Sequence, residues 1–171
     1  MRHALPLLAL LLVLAAGCSR AVPPTASNAS APTGLEAAAI EAGVIPDPKN
    51  ADITGLYTRE TDRVCVVPAA TAYQIGVFVD YGDDQHCSGL GTVSRVGETL
   101  HVGFSDVDGC NFDARFEGDR IVFPGTVPEA CRKLCSQRAS IAGLTVDQLS
   151  NSAAEAATLR DARGRLLCPS G

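Results

Sequence analysis

Asp80, Asp83, Asp84 and His86 crowd the stretch Asp80-Tyr81-Gly82-Asp83-Asp84-Gln85-His86. Carboxylates with an imidazole are ligands that a divalent cation accepts. The spacing matches no cation loop, and Asp and Gly are also the usual residues of an exposed turn, which is the stronger reading. Asp106, Asp108, Asn111 and Asp113 alternate around Gly109 in the manner of a calcium loop. The glycine, however, falls two places too early for an EF-hand. Cys131-Arg132-Lys133-Leu134-Cys135 keeps three residues between its cysteines, so it is not the redox Cys-x-x-Cys motif. For nucleophilic catalysis there is Ser88 near His86, with Ser105 and Ser140 alone and no Gly-x-Ser-x-Gly. With three histidines, one of them His3, a catalytic triad has little to draw on. No catalytic residue, metal ligand or cofactor is assigned from these patterns.

Charge is distributed unevenly. Arg132, Lys133, Arg138, Arg160, Arg163 and Arg165 gather in the last quarter of the chain, while Asp and Glu dominate residues 80–119. Such a basic face suits an anionic partner: glycolipid, peptidoglycan carboxylates or an acidic protein. The plainer reading pairs these cations with the acidic strands of their own domain. The chain as a whole carries a formal net charge of −5, which argues against a nucleic-acid-binding protein.

The elements that must position these residues read as β-rich. Tyr73, Ile75, Val77, Val79 and Tyr81 alternate with Gln74, Gly76 and Asp80, the period of two that marks a strand. Leu100, Val102 and Phe104 alternate with His101, Gly103 and Ser105; Cys110, Phe112, Ala114 and Phe116 alternate with polar residues. Strands are expected near 64–67, 72–81, 88–96, 99–106, 110–117 and 120–123. Opposed residues in a hairpin share a face. A three-residue loop Val107-Asp108-Gly109 opposes Phe104 to Phe112, Val102 to Ala114 and Leu100 to Phe116. A two-residue loop Gly118-Asp119 opposes Phe116 to Ile121 and Ala114 to Phe123. Beyond Pro124-Gly125, Pro128 to Ala139 fits a helix with proline in its first turn. Ser152-Ala153-Ala154-Glu155 is a capping box for a second helix over 153–162. The fold class is therefore α+β: an antiparallel β-meander, curled into a small barrel or sandwich, with two short C-terminal helices.

The seven cysteines are Cys18, Cys65, Cys87, Cys110, Cys131, Cys135 and Cys168. Six of them form an even set in the folded part, as a disulfide framework requires, and an exported chain supplies the oxidising setting. Six cysteines allow 15 connectivities. The expected pairing joins Cys65 to Cys87 within the sheet, leaving the other four to tie helices to sheet and tail.

Met1-Arg2-His3 is a short basic start, and Ala4 to Ala16 is an uncharged, Leu-rich run of 13 residues. About 20 apolar residues are needed to span a bilayer, so this run reads as a signal peptide instead. Its end, Leu14-Ala15-Ala16-Gly17-Cys18-Ser19, resembles the lipobox of bacterial lipoprotein precursors. The resemblance covers residues 1–19, with Ala15 where the family more often has Leu. It implies cleavage before Cys18, a diacylglyceryl thioether on that sulfur and usually an amide-linked third chain, palmitate-type anchoring that holds stably once two chains are buried. Ser19, rather than the Asp associated with inner-membrane retention, implies the outer membrane, with the domain facing the periplasm.

With 17 of the 171 residues removed, 154 remain, room for one domain. Residues 1–17 are the signal peptide. Residues 18–50 are a lipidated N-terminus and a flexible Pro/Ala/Ser tether, in which Leu35 to Ala42 can form two turns of helix. Residues 51–171 are a single disulfide-bonded domain. The functional expectation is a membrane-anchored envelope lipoprotein with a non-catalytic binding or structural domain, and a protein or glycan of the envelope as partner. Small β-barrel lipoproteins that inhibit lysozyme are similar in size and compartment, but their inhibitory loop pattern is not found here. The alternative is a periplasmic hydrolase acting on envelope material, which needs a deep pocket that sets His86 or His101 beside a serine or a carboxylate.

Overall fold

The computed structural model describes residues 34–169. Cys18, with the expected lipobox and the first part of the expected tether, lies outside the described residues. Helix α1 (Leu35–Glu41) precedes eight strands: β1 (Gly55–Arg59), β2 (Asp62–Pro68), β3 (Tyr73–Asp80), β4 (His86–Val96), β5 (Thr99–Phe104), β6 (Asn111–Phe116), β7 (Arg120–Val122) and β8 (Thr145–Ser150). A 3-10 helix over Glu129–Leu134 lies between β7 and β8, and a single turn, α2 (Ala153–Ala156), follows β8. Every strand pairs antiparallel with its sequence neighbour, and β1 pairs with β8, so the meander closes into a barrel.

Closure follows from alternation. An eight-stranded barrel is just wide enough for its inward side chains to fill it. Here Tyr57, Val64, Val66, Ile75, Val77, Val93, Leu100, Phe116, Ile121 and Val146 are buried in one continuous core. Tyr57 carries a polar atom into that core and satisfies it: its hydroxyl donates to Ile53 O at 2.8 Å and accepts from Gln148 Nε2 at 3.4 Å. Burial pushes the phenol well above its ordinary pKa, so it remains a donor.

A second, smaller core lies on the outside. Cys65 and Val67 of β2 point away from the interior and pack with Ala156, Leu167 and Cys168 of the C-terminal segment. Gly76 makes this possible. A Cβ there would stand 2.5 Å from Leu167 O and 2.7 Å from Cys65 Sγ, so only glycine lets the tail lie flat on β3. The Cys65–Cys168 disulfide fixes that seat across 103 residues of chain.

The disulfide Cys65–Cys168 replaces the expected Cys65–Cys87. Cys65 lies opposite Gly76, and Gly76 opposite Leu90, whereas Cys87 lies opposite Val79. Three residues separate the two rows, and an odd offset puts the two sulfurs on opposite faces of the sheet. Cys87 pairs with Cys135 and Cys110 with Cys131.

Those two bridges also account for the missing helix. The expected helix over 128–139 is a 3-10 turn that stops at Leu134, and Cys135 is extended and bridges β4 at Cys87. A chain tied at Cys131 to the β5–β6 loop and at Cys135 to a strand cannot keep winding. The second expected helix, 153–162, is the single turn α2, capped by Ser152 as the capping box implies.

The β6–β7 turn keeps the expected register, with Phe116 opposite Ile121. The β5–β6 hairpin slips by two residues: Val102 lies opposite Phe112 and Leu100 opposite Ala114. The loop is longer than expected, because Phe104 N donates to Cys110 O and Val107 N to Phe104 O. A slip of two preserves every face, so the core is unchanged.

Candidate functional site

The expected chemical groupings resolve differently from one another. Asp80 to His86 is the β3–β4 turn. Gly82, Asp83 and Asp84 take left-handed conformations, Gly82 N donates to Asp80 Oδ1, and Tyr81 N donates to Gln85 O. Asp106, Asp108 and Asn111 belong to the β5–β6 loop and its edge, while Asp113 sits on the outer wall, 2.6 Å from His101 Nδ1. Among the described residues no three His, Cys, Asp or Glu side chains group as a metal site.

The six cations divide. Arg132 pairs with Glu129 one turn back, Arg160 donates to Gly164 O, and Arg138 is exposed beside the short turn after Cys135. Lys133, Arg163 and Arg165 meet in a groove of about 460 Å³. One wall is the cap: Lys133 and Leu134 of the 3-10 helix, then Cys135 and Ser136. A second is the outer face of β4, with His86 and Ser88. The third is the β5–β6 loop, with Asp106 and Val107, and the fourth is the tail loop Asp161-Ala162-Arg163-Gly164-Arg165.

The walls are fixed by hydrogen bonds whose causes are local. Ser136 Oγ accepts from His86 N at 3.0 Å and donates to Asp84 O at 2.7 Å, which locks the cap to the β3–β4 turn. The Cys87–Cys135 bridge lies directly beneath. In the tail loop, Asp161 is almost wholly buried. Its Oδ1 accepts from the amides of Arg163 and Arg165, and its Oδ2 from Arg165 Nε at 3.1 Å. Burial by itself would raise the Asp161 carboxyl, but those donors outweigh it and hold its pKa below the ordinary value. Gly164, at φ 79°, closes the loop.

Arg165 also reaches Asp106 at 3.4 Å, spanning from tail to β5–β6 loop. Both carboxylates of the groove are thus engaged by one guanidinium. Among the described residues, the side chains of Lys133 and Arg163 make no ion pair with an acid. The groove therefore holds two uncompensated cations in a protein whose net charge is −5. The plainer reading of the basic residues holds for Arg165 alone, since Arg132 turns to its own helix.

His86 and Ser88 lie two residues apart on one face of β4 and line the same groove. No hydrogen bond joins the imidazole to the hydroxyl or to a groove carboxylate among the described residues. Sequence reasoning missed Asp161, Val107 and Ser136. The Asp161-x-Arg163-Gly164-Arg165 spacing is a local signal for an Asp-organised turn, but the approach of that turn to β4 depends on a disulfide between residues 65 and 168. In comparisons with known proteins, no family model, no curated protein and no solved structure matches this chain.

Proposed function

We propose that the protein is a bacterial envelope lipoprotein, anchored through lipid on Cys18, whose barrel is a non-catalytic binding domain facing the periplasm from the outer membrane. The observation that carries this reading is the cysteine count. All six cysteines of the barrel domain pair with one another, and Cys18 is the seventh. Three disulfides in one small domain belong to an oxidising compartment. A single further cysteine directly after Ala15-Ala16-Gly17 is where a lipobox needs one. The binding role draws support from a barrel interior filled with side chains, which leaves recognition to the outer surface. Cells fed labelled palmitate are expected to incorporate it into the wild-type protein and not into a Cys18→Ser variant. Label in both, or in neither, overturns the anchor.

A hydrolase acting on envelope material is the second reading, favoured by His86 and Ser88 lining one groove. A fluorophosphonate probe that modifies Ser88 in the wild type, and fails with His86→Ala, would establish it. The binding reading expects no adduct.

A further inference from the structure

We propose that the groove between the cap and the tail loop binds a small anionic sugar, a ring of monosaccharide size bearing a phosphate or carboxylate, with Lys133 and Arg163 pairing the charge. This deepens the binding reading and rests on it. The charge of the ligand follows from Lys133 and Arg163, which make no ion pair among the described residues. Its compactness follows from the surroundings: in a chain of net charge −5, an extended polyanion meets repulsion beyond the groove, whereas a small anion meets only the local positive field. Its size follows from the volume of about 460 Å³, well above what a bare oxyanion fills and within the range of small-molecule sites.

The sugar character follows from the remaining lining. Val107 and Leu134 give an apolar floor for the C–H face of a ring. The Ser88 hydroxyl and the His86 ring, which make no side-chain hydrogen bond among the described residues, are free to meet ring hydroxyls. The walls are set before binding. Asp161 orders the tail loop through three hydrogen bonds, and Arg165 ties it to Asp106. Preorganised walls spare the ligand the cost of ordering them.

The test is titration of the disulfide-bonded full chain, by calorimetry and amide chemical shifts, with glucose 6-phosphate, glucuronate, glucose and inorganic phosphate. One or both charged sugars are expected to bind, shifting amides of 133–136 and 161–165. A preference between them identifies the charged group. Neutral glucose should give no shift, and inorganic phosphate should bind at least tenfold more weakly than the better sugar. Lys133→Gln and Arg163→Gln should each weaken that sugar about tenfold, as expected for losing a charge-assisted hydrogen bond. Arg132→Gln, on the same helix but outside the groove, should leave affinity unchanged. Equal binding by phosphate alone, an equal loss with Arg132→Gln, or no binding by either sugar each overturns the proposal. Palmitate labelling is an independent readout: label without sugar binding sinks the groove alone, and sugar binding without label sinks the anchor alone.

Discussion

The two ends of the barrel are closed by different means. At the end bearing the β2–β3, β4–β5 and β6–β7 turns, the plug is non-covalent. Arg95 lies 5.0 Å over the Phe116 ring, and its guanidinium donates to the carbonyls of Pro48 and Ala51 in the segment leading into β1. At the opposite end the 22 residues between β7 and β8 form the cap, and two disulfides staple it to the barrel. The groove is found at the stapled end. Covalent ties thus sit where irregular backbone must hold a surface in place, while the regular hairpin end is closed by Arg95 together with the packing of Ala51 and Ile53.

The largest effect should come from cutting the staple. Replacing Cys87 and Cys135 together by Ala removes a constraint across 48 residues, worth about 4 kcal/mol in chain-entropy terms. Urea unfolding under non-reducing conditions measures it. The same variant should lose groove binding, because Cys135 and Ser136 form one wall. A variant as stable as wild type would show that the cap holds without its bridge.

Arg95→Met tests the other end. It strips the carbonyls of Pro48, Ala51 and Gly97 of a donor and removes the cation–π contact, at an expected cost of about 2 kcal/mol. Groove affinity should not change. If Arg95→Met weakens sugar binding as much as it weakens the fold, the two ends are coupled and the contrast between them fails.

The smallest effect is a pH dependence. The Asp161 carboxyl titrates below its ordinary value of 3.8, so its contribution is fully present above about pH 4, near the unfolded value. That contribution is lost as the pH falls through the lower, folded value. Asp161→Asn should be less stable at neutral pH and should flatten the stability curve below pH 4. An unchanged acid limb would mean the carboxylate does not organise the tail.

How much of this was legible in the sequence depends on how local each feature is. Of the six expected strands, those over 72–81, 99–106 and 110–117 rest on alternation within a few residues and the others on short apolar runs and the turns beside them, and all six are present. β1 and β8 gave no such pattern. In β8 only Val146 is fully buried while Leu149 is exposed. In β1 both faces are covered, Tyr57 by the interior and Leu56 by the C-terminal segment. Closure of the barrel is the pairing of those two strands, so a barrel and a sandwich could not be separated from sequence. The basic residues were legible as a group, but which of them share a groove is decided by the seat of the tail on Gly76 and Cys65. No local pattern carries that information. The Cys65–Cys87 expectation failed for the same reason: without the register, the faces of the two sulfurs were unknown.

Peptide mapping of the protein purified from its own cells, without reduction, tests the account most directly. It predicts the three cross-linked pairs Cys65–Cys168, Cys87–Cys135 and Cys110–Cys131, with an acylated Cys18 as the first residue. Free thiols in the barrel domain, or a Cys65–Cys87 pair, would contradict the framework that positions the groove.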